Sequence, residues 1–211
     1  TDLRRDMLST FSNLPVSAEY MHSECYDFSK KFGKDTLILI DKLGTERLPK
    51  LFSIKGWLDA RLNSSKWFPA NFIDRIMQAI GTIWINILPK RMEEFRNRFD
   101  HHLILKMRDG GIDEARRYIQ DKFDGVNSDY FECDIRESKV ASLHRFVAAG
   151  AAVRVMALNK DAVADIIALD IALKRNDRNW FEKLPANIEE AINHKLYYGH
   201  FFCHVFHQDY I

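Results

Sequence analysis

Four of the chain's eight histidines, His194, His200, His204 and His207, fall within its last eighteen residues. Imidazoles bind divalent metals and move protons near neutral pH, so this is where chemistry is first sought. The informative spacing is Gly199-His200 followed seven positions on by His207. On a straight strand alternate residues share a face, so His200 and His204 point together and His207 points away. A turn or bulge is needed to make His200 and His207 converge. Two imidazoles make half of a metal site, which needs a third or fourth ligand and outer partners. The carboxylate near them in sequence is Asp209. Spacing alone leaves two alternatives open: a divalent metal on His200 and His207, or ordinary half-buried histidines.

Arg145 and Arg154 lie in HRFVAAGAAVRV, a small-residue, apolar context. A guanidinium there either grips a substrate carboxylate through paired hydrogen bonds or satisfies a buried acid. His101 and His102 are adjacent, so their side chains diverge on any regular element, and they read as structural or surface residues. Cys25, Cys133 and Cys203 are scattered, odd in number and without a CxxC, which fits small hydrophobes in a reducing compartment rather than disulfides or zinc. No GxSxG, P-loop, GxGxxG or HExxH occurs, which disfavours a self-contained hydrolase, kinase or Rossmann dehydrogenase.

Lys and Arg number 31 against 30 Asp and Glu, a net charge of +1 that gives a globally basic nucleic-acid binder no support. The distribution is uneven. Between Lys55 and Arg108 ten basic residues face five acidic ones, so this stretch carries +5 and the remainder −4. Trp57, Trp67, Phe68, Phe72 and Trp84 are interleaved with that charge. Tryptophan favours the headgroup level of a bilayer, and Lys and Arg can bury their stems while pairing with lipid phosphate. The expected membrane-contact residues are Lys55, Arg61, Lys66, Trp67, Phe68, Arg75, Trp84, Lys90 and Arg91. A buried helix with basic flanks is the bland alternative, and nucleic-acid stacking is a weaker rival. The longest weakly polar run, 79–88, is well short of the ~20 apolar residues that span a bilayer, so contact would lie along the surface.

These residues need elements to hold them. A short strand is expected over 14–20, a helix over 21–32 closed by Gly33, and a buried strand at 37–40 (LILI). A helix over 112–123 and a strand over 129–134 follow. Next come a helix over 137–149 ended by Gly150, a strand over 151–158, a helix over 161–168, a helical stretch over 188–193, and one or two strands within 195–211. Strands alternating with helices, without a phosphate-binding glycine loop, predict an α+β fold: an antiparallel sheet covered by helices. The opening TDLRRDMLSTF has no signal-peptide pattern, and the aromatic close FFCHVFHQDYI suggests a piece cut from a longer chain.

The blocks EYMHSECYDFSKKFGKDT, IDKLGTERLPKLF, KGWLDARL, HRFVAAGAA, DIALDIALKRND and HKLYYGHFFCHVFHQDYI together resemble the bacterial respiratory D-lactate dehydrogenases, in order and through essentially the whole chain. That resemblance implies a flavoenzyme cap domain in two parts, 1–41 and 109–211, with a mainly helical, basic, Trp-rich membrane-contact insertion at 42–108. It implies oxidation of D-lactate to pyruvate, FAD held by an FAD-binding domain outside this chain, and electrons passed to a membrane quinone. The partners would be an anionic phospholipid surface and the FAD-binding domain of the same protein, at the cytoplasmic face of the bacterial inner membrane. Nucleic acid is not expected. The resemblance also gives His200 and His207 the GH-x(6)-H pattern of a divalent-metal site near the substrate carboxylate. FFCHVF between them departs from the small Gly- and Asn-containing stretch of related enzymes. No catalytic base can be named in this chain, which alone is expected to be inactive. A non-enzymatic peripheral membrane-binding module is the alternative from a different class.

Overall fold

The computed structural model describes residues 1–83, 88–123, 125 and 127–211, apart from the side chains of Thr45, Arg145 and Phe146. The chain opens with α1 (Asp2–Thr10), β1 (Ser17–His22), α2 (Ser23–Phe32) and α3 (Lys34–Leu43). After a short 3-10 turn come α4 (Leu48–Asn63), α5 (Phe72–Ile83) and α6 (Lys90–Arg98). Then follow β2 (His101–Lys106), α7 (Gly111–Lys122), α8 (Ile135–Leu158), β3 (Ile167–Ala172), α9 (Ala186–Glu189), β4 (Lys195–His200) and β5 (Val205–Tyr210). The strands form one antiparallel sheet in the order β2-β1-β4-β5-β3, which is the expected α+β class.

Strand pairing sorts side chains by parity. Met21, Tyr198, His207 and Asp170 stand opposite one another across β1, β4, β5 and β3, so they share a face. Helices α2 and α8 cover one part of that face: Met21, Cys25, Tyr26, Leu196 and the α8 alanines 148, 151 and 152 form the main core. Each fully buried large apolar side chain there contributes ~1.5–3 kcal/mol. On the other face, Met7, Phe11 and Tyr118 from α1 and α7 pack on Leu103 and Leu105 of β2, while Trp180 caps Tyr20, Tyr197 and Phe206.

Several expected elements change type. The LILI run is helical, within α3: Lys34 and Asp35 begin it, Gly44 at φ 77 ends it, and Leu37 and Ile40 pack against Val147 of α8. Four apolar residues have no period of their own, so the neighbouring helix decided the matter. The expected break at Gly150 and strand over 151–158 are absent; α8 spans 24 residues, and its bend of 49° falls earlier, between Ile135–His144 and Val147–Leu158. Alanine is the best helix former, and the alanines flanking Gly150 offset its modest cost. Residues 129–134 form no strand. Asp134 instead caps α8, accepting from the Glu137 N–H while the Glu137 carboxylate accepts from the Asp134 N–H. The helix expected over 161–168 gives way to β3, whose Ile167, Leu169 and Ile171 alternate with Ala168, Asp170 and Ala172. The helix expected over 188–193 is reduced to the single turn α9.

The stretch read as an insertion holds α4, α5 and α6, as a mainly helical reading requires, and also β2, which pairs with β1 along six residues. The sheet therefore reaches into residues 101–106. Helix α5 rests against α3 and α8, and α4 lies outside it with no buried residue.

Candidate functional site

The turn that His200 and His207 require is present. β4 and β5 form a hairpin closed by residues 201–204, with His204 in the left-handed region at φ 58. His204 is buried, and its Nδ1 lies 3.1 Å from the Lys174 carbonyl. It does not point with His200, contrary to a straight strand. His200 pairs with Val205 and His207 with Tyr198, which makes the two histidines diagonal neighbours on one face. Their rings meet edge to face with centroids 5.5 Å apart.

Each imidazole has a carboxylate on its outer side. His200 Nδ1 lies 3.1 and 3.3 Å from the two oxygens of Glu19, its register partner on β1. His207 Nδ1 bonds Asp170, its register partner on β3. Tyr198 stacks on the His207 ring at 5.0 Å and donates its hydroxyl to Asp209 at 3.1 Å. Burial raises the pKa of Asp209 above the usual carboxylate range, against the pull of the Tyr198 hydroxyl. Asp209, the carboxylate closest in sequence, is thus not the histidines' hydrogen-bond partner. Glu19 and Asp170 lie 181 and 37 residues from the histidines they bond, and only strand register brings them together. The alternation in β3 was the available signal for Asp170; Glu19 carried none.

As a donor set, two imidazoles backed by carboxylates suit a borderline divalent cation such as zinc. They supply two positions of it: among the described residues no group of three His, Cys, Asp or Glu is arranged to hold a metal ion. A roomier cleft of about 570 Å³ lies on the other face, between His22, His101, Trp180, Tyr197, His194 and Lys195. Its charges are engaged within the fold, His194 on Glu24 and Lys195 on Glu182 and Glu189.

Arg154 takes the buried-acid role. Its guanidinium bonds Asp35, reaches Asp74 at 3.6 Å and donates to the Phe32 carbonyl at 3.2 Å, with all three side chains buried. It is not poised to grip a substrate carboxylate, because the guanidinium is buried and faces Asp35, Asp74 and the Phe32 carbonyl inside the core. The Arg145 side chain lies outside the described residues.

The basic middle divides in two. Lys55 is held by Asp59 at 2.7 Å and Asp74 at 2.8 Å. Burial pulls its pKa down, but the two carboxylates more than offset that and raise it. Arg91 pairs with Glu137 at 2.5 Å, and that bond holds the Glu137 carboxyl below its usual range. These two cations are structural. Arg61, Lys66, Arg75 and Lys90 are exposed, Arg61 lying over the Trp57 ring and Lys90 3.7 Å from Glu94. Beside them the surface is apolar: Trp67 is 91% exposed, Trp57 61% and Ile83 84%, with Phe52, Ile54, Phe68, Ile76 and Ile80 also outward. Ile76, Ile80 and Ile83 follow helical spacing, so α5 shows solvent an apolar stripe opposite the face that packs on α3 and α8. Trp84, expected in this set, lies outside the described residues. No single described helix is long and apolar enough to cross a membrane.

A family model described as "D-lactate dehydrogenase, membrane binding" matches residues 1–211. The chain is 51% identical over 211 residues to a quinone-dependent D-lactate dehydrogenase of Escherichia coli (strain K12), covering 100% of this chain and 37% of that protein. It is 47% identical over 212 residues to a protein of the same name from Haemophilus influenzae, of which it covers 38%. A third, from Corynebacterium glutamicum, is 39% identical and covered to 37%. The chain thus spans little more than a third of the curated relatives it matches.

Proposed function

Because the chain belongs to the membrane-binding D-lactate dehydrogenase family, we propose that it is the cap and membrane-docking region of a flavin-dependent enzyme that oxidises D-lactate to pyruvate and passes the electrons to membrane quinone. The observation that carries the docking half is the outward apolar surface of α4, α5 and the Trp67 turn, bordered by Arg61, Lys66, Arg75 and Lys90. Large contiguous exposed apolar surfaces rimmed by charge are interaction sites, and this pairing of indole with cation suits an anionic lipid surface. The protein would lie on the cytoplasmic face of the bacterial inner membrane, peripherally, within reach of its lipid-soluble acceptor.

The family implies FAD, whose chemistry is to take a hydride from the lactate carbon. This chain offers no glycine-rich phosphate cradle, so no residue here is assigned to the flavin, which would be held by a separate domain of the same protein. The family also implies a divalent metal. His200 and His207 fit two of its ligand positions, each through the nitrogen not engaged by a carboxylate, and the remaining ligands would come from elsewhere in the protein. Held there, a divalent cation would supply positive charge for the lactate carboxylate.

The test is co-sedimentation of the whole protein with neutral and anionic vesicles at low and high salt, comparing wild type with Lys66→Glu, Arg75→Glu and Lys90→Glu combined. Lys55 and Arg91 are left alone because they hold the fold. At ~1 kcal/mol per cation near an anionic surface, the triple variant should lose at least about a hundredfold in affinity. Wild-type binding should weaken with salt. Binding to anionic vesicles unchanged by the three reversals would overturn the docking assignment.

A further inference from the structure

We propose that Glu19 and Asp170 are positioning residues that fix both imidazoles of the His200–His207 pair in the tautomer carrying its proton on Nδ1, so that two Nε2 lone pairs are presented together to a divalent cation. This rests on the metal reading of that pair given above.

The four side chains come from four strands, on one face, in the spatial order β1, β4, β5, β3. Glu19 stands opposite His200 in the β1–β4 register, and Asp170 stands opposite His207 in the β3–β5 register. Each carboxylate therefore approaches its imidazole from the outer strand, and the two rings meet in the middle at 5.5 Å between centroids. An ionised carboxylate can only accept a hydrogen bond, so the nitrogen facing it must carry the proton. In both rings that nitrogen is Nδ1. The neutral imidazole then has its lone pair on Nε2, the form a metal requires.

Ring orientation is fixed as well as tautomer. Glu19 is mostly buried and reaches His200 Nδ1 with both oxygens. His207 is clamped between Asp170 on one side and the Tyr198 ring on the other, and Tyr198 is itself anchored by its hydroxyl on Asp209.

The whole enzyme, stripped of metal, is titrated with Zn²⁺ and Mn²⁺ by calorimetry, as wild type and as Glu19→Ala, Asp170→Ala, His200→Ala and His207→Ala. Imidazole ¹⁵N spectra of histidine-labelled protein report the tautomer directly, independently of turnover. The expectation is Nδ1–H for both residues in wild type, and a 10–100-fold loss of metal affinity in each carboxylate variant, the usual effect of removing an outer-shell partner. Should the alanine variants fail to fold, Glu19→Gln and Asp170→Asn keep the shape while allowing the amide to donate or accept. Nε2–H signals should then appear and affinity fall to intermediate values. Wild-type affinity in the carboxylate variants, with binding abolished in the histidine variants, overturns this inference and leaves the metal reading standing. Wild-type affinity in the histidine variants overturns both.

Discussion

Arg154 sits where water cannot help it, between Asp35 and Asp74, and its neighbours explain why a charge is tolerated there. Breaking such a set from one side is costly because the partners stay charged and buried. Arg154→Met should lower stability by about 3–5 kcal/mol, read as a shifted urea midpoint at unchanged slope. Adding Asp35→Leu should recover part of that loss, since Asp74 keeps Lys55. Equal stability of wild type and Arg154→Met would mean that the guanidinium is replaceable by packing alone. His144 gives a second residue-scale prediction. It is buried, its Nδ1 lies 2.7 Å from the Val140 carbonyl, and burial pushes its pKa down to about 4. Above pH 6.5 it is neutral folded or unfolded and contributes no pH dependence. Between pH 6.5 and 4 the unfolded chain takes up a proton that the folded chain refuses, so stability falls as pH falls. Below pH 4 both states are protonated and the loss, roughly 3 kcal/mol, is complete. His102, also pushed down to about 4 by burial, adds to the same arm. His144→Leu should flatten the stability curve between pH 6.5 and 4, and an unchanged slope there would remove His144 as its source.

Two glycines set how closely elements approach, and they rank differently. A Cβ on Gly199 would fall inside contact distance of the Val205 carbonyl oxygen and 2.9 Å from the Phe206 Cα, both backbone atoms of the hairpin partner. A Cβ on Gly33 would crowd chiefly Val147 Cγ1, the end of a side chain, where α2 meets α8, with the Ser29 carbonyl oxygen less tight at 3.0 Å. Backbone cannot step aside, while a valine can shift, although its rotamers in a helix are few. Gly199→Ala should therefore lower the thermal midpoint more than Gly33→Ala, with overpacking costs of about 1–3 kcal/mol as the scale. The reverse order would show that the hairpin adapts more readily than the helix pair. The same hairpin marks what could be read in advance. Helices α2 and α7 were legible because charge, apolar spacing and, for α2, a glycine cap agreed. LILI and AAVRVMAL were not, because short apolar runs carry no period and their type was settled by packing, LILI on Val147 of α8 and 151–158 on α2 and the sheet. His200 and His207 were legible as a pair whose convergence depended on a turn. Glu19 and Asp170 were not, because the partner of a strand residue is fixed by register, which no spacing along the chain reveals.

At the scale of the whole molecule, stability is distributed unequally between the sheet with its covering helices and the outer helix α4. Helix α8 buries alanines and valines against α2 and the sheet, whereas α4 buries no residue and turns Phe52, Ile54 and Trp57 outward. The Lys55 bond to Asp74 ties α4 to α5, and Asp74 in turn meets Arg154 on α8, so a short chain of ion pairs, beside the packing of Leu48 on Leu37 and Ile40, joins the proposed docking surface to the core. Elements with few buried apolar contacts open locally at low free energy. Amide hydrogen exchange of the whole protein should find α4 exchanging quickly in solution while α8 stays protected. Anionic vesicles should then slow α4 and leave α8 as it was, because lipid supplies the apolar contacts that α4 lacks in the protein. Slow exchange of α4 without lipid would mean that another part of the protein covers Phe52, Ile54 and Trp57, and the surface would then belong to an internal interface rather than to the membrane. Fast exchange both with and without vesicles would leave α4 outside the contact and confine docking to α5 and the Trp67 turn.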